Sequence, residues 1–270
     1  MIGVKEVADE PNEGFDALIV GAGLAGLSAA YILAEAGLEV VVLERGDYPG
    51  AKNVTGGRLY VNPIRKLFPE LWAKAPFERY IAHEEVSIID KERSLSIRYS
   101  GSELTEDPNQ SFSVLRGRLD RWLSKQAELK GALLVCKSRA DDIIIENGQV
   151  VGVIAGGEEL RAKVVIACDG VLSFVAKKAG LRPTNKSKDF AVGLKEIIEL
   201  DRDVLENRFN LEGDAGVARL FIGDVTAGKF GGGFIYTNKD SLSLGIVVGI
   251  DALSEAEPYI LAPEILDRFK

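Results

Sequence analysis

The chain has 270 residues, 46% hydrophobic and 27% charged, proportions of a globular protein with room for one large domain or two interleaved ones. Its 33 Lys and Arg against 41 Asp and Glu leave a net charge of −8, which argues against nucleic acid as a partner. Two cysteines, Cys136 and Cys168, cannot build a disulfide framework and show no metal-ligand spacing, so a reducing, cytoplasmic setting without a metal is expected.

The opening MIGVKEVADEPNEG lacks the basic-then-apolar order of a signal peptide, and residues 1–14 read as a flexible lead-in. The apolar region after Gly21 is interrupted by Glu35 and Glu39, short of a membrane span, while peripheral membrane contact stays open. From Phe15 to Arg45 the chain reads FDALIVGAGLAGLSAAYILAEAGLEVVVLER. A short apolar strand, Ala17 to Val20, precedes Gly21, Gly23 and Gly26 at the spacing G-x-G-x-x-G. A helical segment rich in Ala and Leu ends near Gly37, and a second apolar run, Val40 to Leu43, is closed by Glu44. In such a unit the first glycine permits the tight turn, the second lets a pyrophosphate approach the backbone, and the third lets helix and strand pack closely. The pyrophosphate meets the free N–H groups and positive dipole end of the helix. Glu44 is placed to accept hydrogen bonds from both hydroxyls of an adenosine ribose, and its charge would repel a 2′-phosphate, which disfavours NADP. The motif alone leaves FAD and NAD open.

Gly46 to Tyr60, GDYPGAKNVTGGRLY, holds too many turn formers for regular structure. It reads as a loop over the cofactor, where Gly50, Gly56 and Gly57 would let a flat ring approach the backbone. Residues 61–80 suggest short helices broken by prolines, and VSIID and SLSIRYS within 84–100 suggest antiparallel strands of another sheet. Ser111 to Ala132 reads as a strand and then an amphipathic helix with Leu119, Trp122, Leu123 and Ala127 on one face. Arg116 and Arg118 stand at that junction, where an anionic cofactor could be met.

Residues 133–168 read as a small β-meander. LLVCK is a strand, IIIE and QVVGVIA flank the hairpin signal Asn147-Gly148, and a turn at Gly156-Gly157 leads through ELRAK to VVIACDG. The continuous apolar run Val164 to Cys168 suits a buried parallel strand ending in Asp169-Gly170, with a helix from about Ser173. Beyond 185, FAVGLKEIIEL, FIGDVTAGKFGGGFIYTNKD and SLSLGIVVGI read as long antiparallel strands with a glycine-rich hairpin, and LSEAEPYILAPEILDRFK as a closing helix. His83, the only histidine, reads as a surface or capping residue. Cys136, Cys168, Trp72 and Trp122 read as core. No side chain is singled out as catalytic.

Several of these stretches together resemble one flavoprotein family: VGAGLAGLSAAYILAEAGLEVVVLERG, PGAKNVTGGRLY, VLRGRLDRWL, VVIACDGVLSFVAKKAGL and GGGFIYTNKDSLSLGIVVG. The family is the electron transfer flavoprotein–quinone oxidoreductases, and within it the FixC-type branch. The resemblance implies FAD. It matches Gly21, Gly23 and Gly26 to the pyrophosphate turn, Glu44 to the ribose acid and Arg45 to a neighbour of the adenosine. It matches Arg116 to an arginine on the pyrophosphate side of FAD, and Lys52, Asn53, Gly56 and Gly57 to the loop beside the isoalloxazine. Asp169 and Gly170 match the acid–glycine turn of the second cofactor strand. Two family features have no counterpart: a later G-D-A segment that closes the flavin site, and a cysteine cluster for iron–sulfur. Ile222-Gly223-Asp224 precedes the substrate-domain stretch and does not qualify, so the chain resembles a member shortened at its carboxyl end.

The expected fold is α/β, a Rossmann-like FAD-binding domain (1–80 and 111–185) with an inserted β-meander. A second, mainly antiparallel substrate or partner domain (81–110 and 186–270) accompanies it. The resemblance implies transfer of electrons from an electron transfer flavoprotein to a ferredoxin-like protein or quinone, in the cytoplasm or against the inner face of the membrane. A reductase or hydroxylase of the geranylgeranyl reductase type, and a non-catalytic remnant, are the alternatives.

Overall fold

The computed structural model describes residues 14–183, 186–256 and 258–270, so the expected lead-in lies outside the described residues except for Gly14. The chain begins with β1 (Phe15–Val20), α1 (Leu24–Glu35) and β2 (Val40–Glu44). There follow β3 (Arg58–Tyr60), α2 (Asn62–Leu67), β4 (Tyr80–Asp90), β5 (Arg93–Ser100), β6 (Ser111–Ser113) and α3 (Arg116–Leu129). Next come β7 (Leu133–Cys136), β8 (Ala140–Glu146), β9 (Gln149–Ala155), β10 (Glu158–Ala167) and α4 (Phe174–Lys178). The remainder is β11 (Ala191–Glu199), α5 (Arg202–Phe209), β12 (Ala215–Gly223), β13 (Gly231–Thr237), β14 (Ser241–Gly249), α6 (Ile250–Ser254) and α7 (Ala262–Phe269).

Two compact units arise, one from residues 14–52 and 120–183, the other from 53–119 and 186–270. These limits differ from those expected from composition. Residues 53–80 and 111–119 go with the second sheet because β3 pairs with β6 and β6 with β4, so the strands at both ends of this stretch are tied there.

The first unit holds a six-stranded sheet in the order β7-β2-β1-β10-β9-β8. Strands β7, β2, β1 and the end of β10 run parallel, while β10, β9 and β8 form an antiparallel meander. Two readings of the sequence are corrected here. LLVC is not part of the meander: after the long helix α3 it returns as β7, parallel to β2 at the opposite edge, as a helical crossover allows. ELRAK and VVIA are not two strands but one, β10, whose first half pairs antiparallel with β9 and whose second half pairs parallel with β1. The core of this unit is Leu18, Val20, Val41, Leu43, Val153, Ala155, Ala162 and Val175, all buried. The expected burial of Val164 to Cys168 is not found. Val164 is 53% exposed and Cys168 half-buried, and the helix that follows β10, α4, is only five residues long. Cys136, Trp72 and Trp122 are likewise half-buried rather than core. Of the amphipathic face of α3, Leu119, Leu123 and Ala127 are buried as expected.

The second unit holds an eight-stranded sheet in the order β11-β14-β13-β12-β4-β6-β3, with β5 added on β4. Its pairings are antiparallel except for β12 on β4. The closing segment is two helices, α6 and α7, rather than one. Alternation decides which face is covered. Leu205 and Phe209 of α5 and Ile265 and Leu266 of α7 pack with Val217, Leu242, Leu244 and Ile246 of the sheet. Each such burial is worth roughly 1.5–3 kcal/mol. The residues of opposite parity form another face. There Leu95 and Ile97 are 62% and 69% exposed, and Val86, Ile88, Leu220 and Ile222 are exposed beside them.

Beneath the covered face sits a charged side chain that composition does not reveal, Arg79, fully buried. It donates to the carbonyls of Asn238 (2.7 Å), Gly213 (2.8 Å) and Ala215 (3.0 Å) and to Glu206 Oε1 (3.2 Å). A buried cation persists only when its donors are satisfied in this way.

Candidate cofactor site

In the first unit the glycine turn is built as the spacing demands. Gly21 has φ +105°, a conformation for glycine, and a side chain there would strike the Cys168 carbonyl, whose carbon lies 2.9 Å from the Cβ position. Gly21 N–H donates to the Leu43 carbonyl (2.8 Å) and Cys168 N–H to the Val20 carbonyl (2.8 Å), so the turn is held from both neighbouring strands. Gly26 packs on the turn itself: a side chain there would overlap the Gly21 carbonyl oxygen. Gly23 starts α1 in an extended conformation, and no side chain caps that helix. No acid occupies its first turn either. The result is a cradle of small residues at an uncapped helix start, which fits a diphosphate.

Glu44 lies at the end of β2 as expected, and the structure adds a task. Its Oε2 accepts from Ala22 N–H (3.0 Å) and its Oε1 from Gly46 N–H (2.6 Å), tying the glycine turn to the segment after β2. A carboxylate has about four lone-pair sites, so capacity for ribose hydroxyls remains. Arg45 and Lys52 are exposed. Asp169 is half-buried beside the Gly21 turn, and its Oδ2 accepts from Val175 N–H (3.0 Å), fastening the start of α4. Gly170 follows with φ +80°. Burial pushes the thiols of Cys168 and Cys136 up, helped by Asp169 at the first and Glu44 at the second, so neither is poised as a thiolate.

The second unit carries Asn53, Gly56, Gly57 and Arg116. Gly57 has φ +114°, and its carbonyl accepts from Val114 N–H (2.6 Å). Bare backbone is required here. A Cβ on Gly56 would lie 2.9 Å from Tyr236 Cε2, and one on Gly57 3.0 Å from the Val114 oxygen. The same Gly57 position lies 3.7 Å from Ser243 Oγ and 3.9 Å from Lys195 Nζ. Sequence reading passed over Tyr236, Ser243 and Lys195. The one signal for the last was a lysine inside an otherwise apolar strand start, FAVGLK.

His83 lies on β4 with Nδ1 2.7 Å from Ser100 Oγ on β5. Burial, and then the Arg98 charge, hold its pKa below the usual value. The folded state therefore resists a proton that the unfolded chain takes up, so stability present above the ordinary histidine pKa of about 6.5 falls as pH drops through it. Denaturant midpoints measured at pH 7.5 and 5.5 should differ less in His83→Gln than in the wild type; an unchanged difference would refute the assignment. Among the described residues, no helix is long and apolar enough to cross a membrane, and no three His, Cys, Asp or Glu side chains gather as a metal site.

Comparison with known proteins bears on this geometry. The family model "FAD dependent oxidoreductase" matches residues 16–93, the stretch that includes the glycine turn and Glu44. Protein FixC of Escherichia coli K12 is 46% identical over 256 residues, 95% of this chain and 59% of that protein. The probable electron transfer flavoprotein-quinone oxidoreductase YdiS of the same organism is 42% identical over 96% of this chain and 60% of its own length. A geranylgeranyl bacteriochlorophyll reductase-like protein from Thermoplasma acidophilum superimposes with a TM-score of 0.74 at 23% identity, over 95% of this chain and 61% of its own, which supports the fold. The chain is thus similar to FixC and to an electron transfer flavoprotein-quinone oxidoreductase, with the fold of FAD-dependent oxidoreductases, and spans about three fifths of the length of those proteins.

Proposed function

We propose that this chain forms part of an FAD-dependent oxidoreductase that receives electrons from an electron transfer flavoprotein and delivers them to a ferredoxin-like protein or a quinone. The observation that carries the reading is the uncapped glycine cradle of α1 with Glu44 beside it, inside a chain 46% identical to FixC. When bound, FAD supplies the redox chemistry, and the protein supplies binding, orientation and electrostatics. Gly21, Gly23 and Gly26 receive the diphosphate and Glu44 the ribose, with Arg45 near the adenosine. Asp169 and Gly170 flank the turn from β10. Lys52, Asn53, Gly56 and Gly57 offer bare or polar backbone to the flavin ring, and Arg116 adds positive charge on the pyrophosphate side. The raised thiol pKa values leave no nucleophile in this account, which needs none.

The exposed apolar residues Leu95, Ile97, Val86, Ile88, Leu220 and Ile222 favour an apolar acceptor or a membrane surface over a small polar substrate. They also keep open a second reading, reduction or hydroxylation of an isoprenoid or aromatic substrate. Protein given FAD and desalted should keep flavin absorbance, and its melting midpoint should rise with FAD concentration, since a ligand of the native state stabilises it. A colourless protein with an unchanged melt would favour a non-catalytic remnant. Reoxidation by an isoprenoid or aromatic substrate, and not by quinone or ferredoxin, would favour the second reading.

A further inference from the structure

Lys195 lies on β11 where a cation is hard to explain by folding alone. Register across the sheet puts Lys195 opposite Gly245, Gly245 opposite Phe234, Phe234 opposite Leu220, Leu220 opposite Val86, and Val86 opposite Ile97. Directly opposed residues share a face, so this row is an apolar line across the sheet with one ammonium at its end. Gly245 has no side chain, and Phe234 occupies the space: a Cβ on Gly245 would lie 2.9 Å from Phe234 Cε1. The ammonium is half-buried, 3.9 Å from the Gly57 Cβ position, and makes no hydrogen bond or ion pair among the described residues. Its strand neighbour Glu196 alternates to the other face, where it binds Lys270 (2.6 Å).

A charge of the same sign acts on Lys195. Burial lowers the pKa of its amine, and the Arg116 guanidinium lowers it further. A half-buried ammonium beside bare glycine backbone, without a hydrogen bond or ion pair among the described residues, is unfavourable by itself. A ligand that brings negative charge to that corner relieves the cost. Glycines at 56 and 57 leave flat backbone beside it, and both are positions at which a side chain would be obstructed.

We propose that Lys195 is a further cofactor-binding residue, whose ammonium, beside Gly57, contacts the isoalloxazine of FAD and favours its reduced, negatively charged form. The inference rests on the FAD reading above. The balance is simple: two electrons from the donor flavoprotein and one proton from water leave the ring with one net negative charge. A fixed positive charge beside it shifts the equilibrium toward that form. Lys195 takes no part in proton transfer; it acts as a charge in place.

The test has two arms on the protein loaded with FAD. In the first, wild-type protein is acetylated with a limiting amine-reactive ester at pH 8, with and without FAD, and Lys195 is followed by mass spectrometry. FAD should slow its labelling at least fivefold while exposed lysines such as Lys188 are unaffected, and inorganic phosphate at the same concentration should not protect. In the second, dye-coupled reduction compares the wild type with Lys195→Met and Lys195→Arg. Loss of the charge should disfavour reduction about tenfold, roughly 30 mV for a two-electron couple, and arginine should restore most of it. Retained FAD with unprotected Lys195, equal protection by phosphate, or an unchanged potential in Lys195→Met overturns the proposal while the FAD reading stands. Failure to retain FAD at all overturns both. The labelling arm needs no variant, so misfolding of Lys195→Met leaves it decisive.

Discussion

Gly26→Ala is expected to destabilise the protein by about 2–4 kcal/mol and to abolish FAD retention through desalting. Propensity argues the other way, since alanine is preferred to glycine in a helix interior by about 1 kcal/mol. Sterics decides. The new Cβ would overlap the Gly21 carbonyl oxygen and lie 3.1 Å from Ile19 Cγ2, so α1 must move off β1 and the turn must open. A helix displaced there would no longer present its first N–H groups to the diphosphate of the proposed site. The melting midpoint should fall by about 5–15 °C, at the 2–4 °C per kcal/mol usual for domains approaching this size. Gly37→Ala is the control: it has φ +82° but nothing within 4 Å of its Cβ position, so only backbone strain of roughly 1 kcal/mol is imposed. A Gly26→Ala protein that holds FAD and melts with the wild type would refute the packing argument.

Arg79→Met should cost about 3–5 kcal/mol, as expected when one partner of a buried charged network is removed. Methionine fills much of the volume, so the loss isolates the polar term. The carbonyls of Asn238, Gly213 and Ala215 would lose their donor in a dry environment, and Glu206 would keep only Arg202 (2.8 Å). Lysine should rescue little, because a single ammonium cannot reach acceptors that a planar fork serves at several angles. Urea unfolding followed by circular dichroism is the measurement. A midpoint within experimental error of the wild type would show that Arg79 is replaceable.

The first βαβ unit was legible because its determinants are local: three glycines at fixed spacing, apolar runs before and after, and an acid at the second strand's end. The Asn147-Gly148 hairpin was legible for the same reason, and both residues take positive φ, 52° and 80°, as a tight hairpin turn requires. The double pairing of β10 was not. Arg161 and Lys163 give its middle a polar alternation that reads as a separate edge strand, while its parallel partner β1 is chosen by tertiary structure. Arg79 escaped notice because charged residues are presumed exposed, and nothing in PFERY signals three carbonyl acceptors far along the chain. At the proposed cofactor site, Gly56 and Gly57 stand out by residue type, whereas Tyr236 beside the first and Lys195 and Ser243 beside the second arrive only through sheet register.

The pairing of β1 with β10 also bears on how the protein is made. Phe15 pairs with Ala162, and the backbone that supports the Gly21 turn is the carbonyl of Cys168. A ribosome adding 5–20 residues per second needs on the order of ten seconds to travel from one strand to the other. Through that interval the Leu-Ile-Val edge of β1 has emerged without its second neighbour, an apolar strand with open hydrogen-bonding groups. Strand β1 therefore gains its second neighbour only after a long intervening stretch has been made, so its completion depends on closure of a long loop as well as on its own strong local signals.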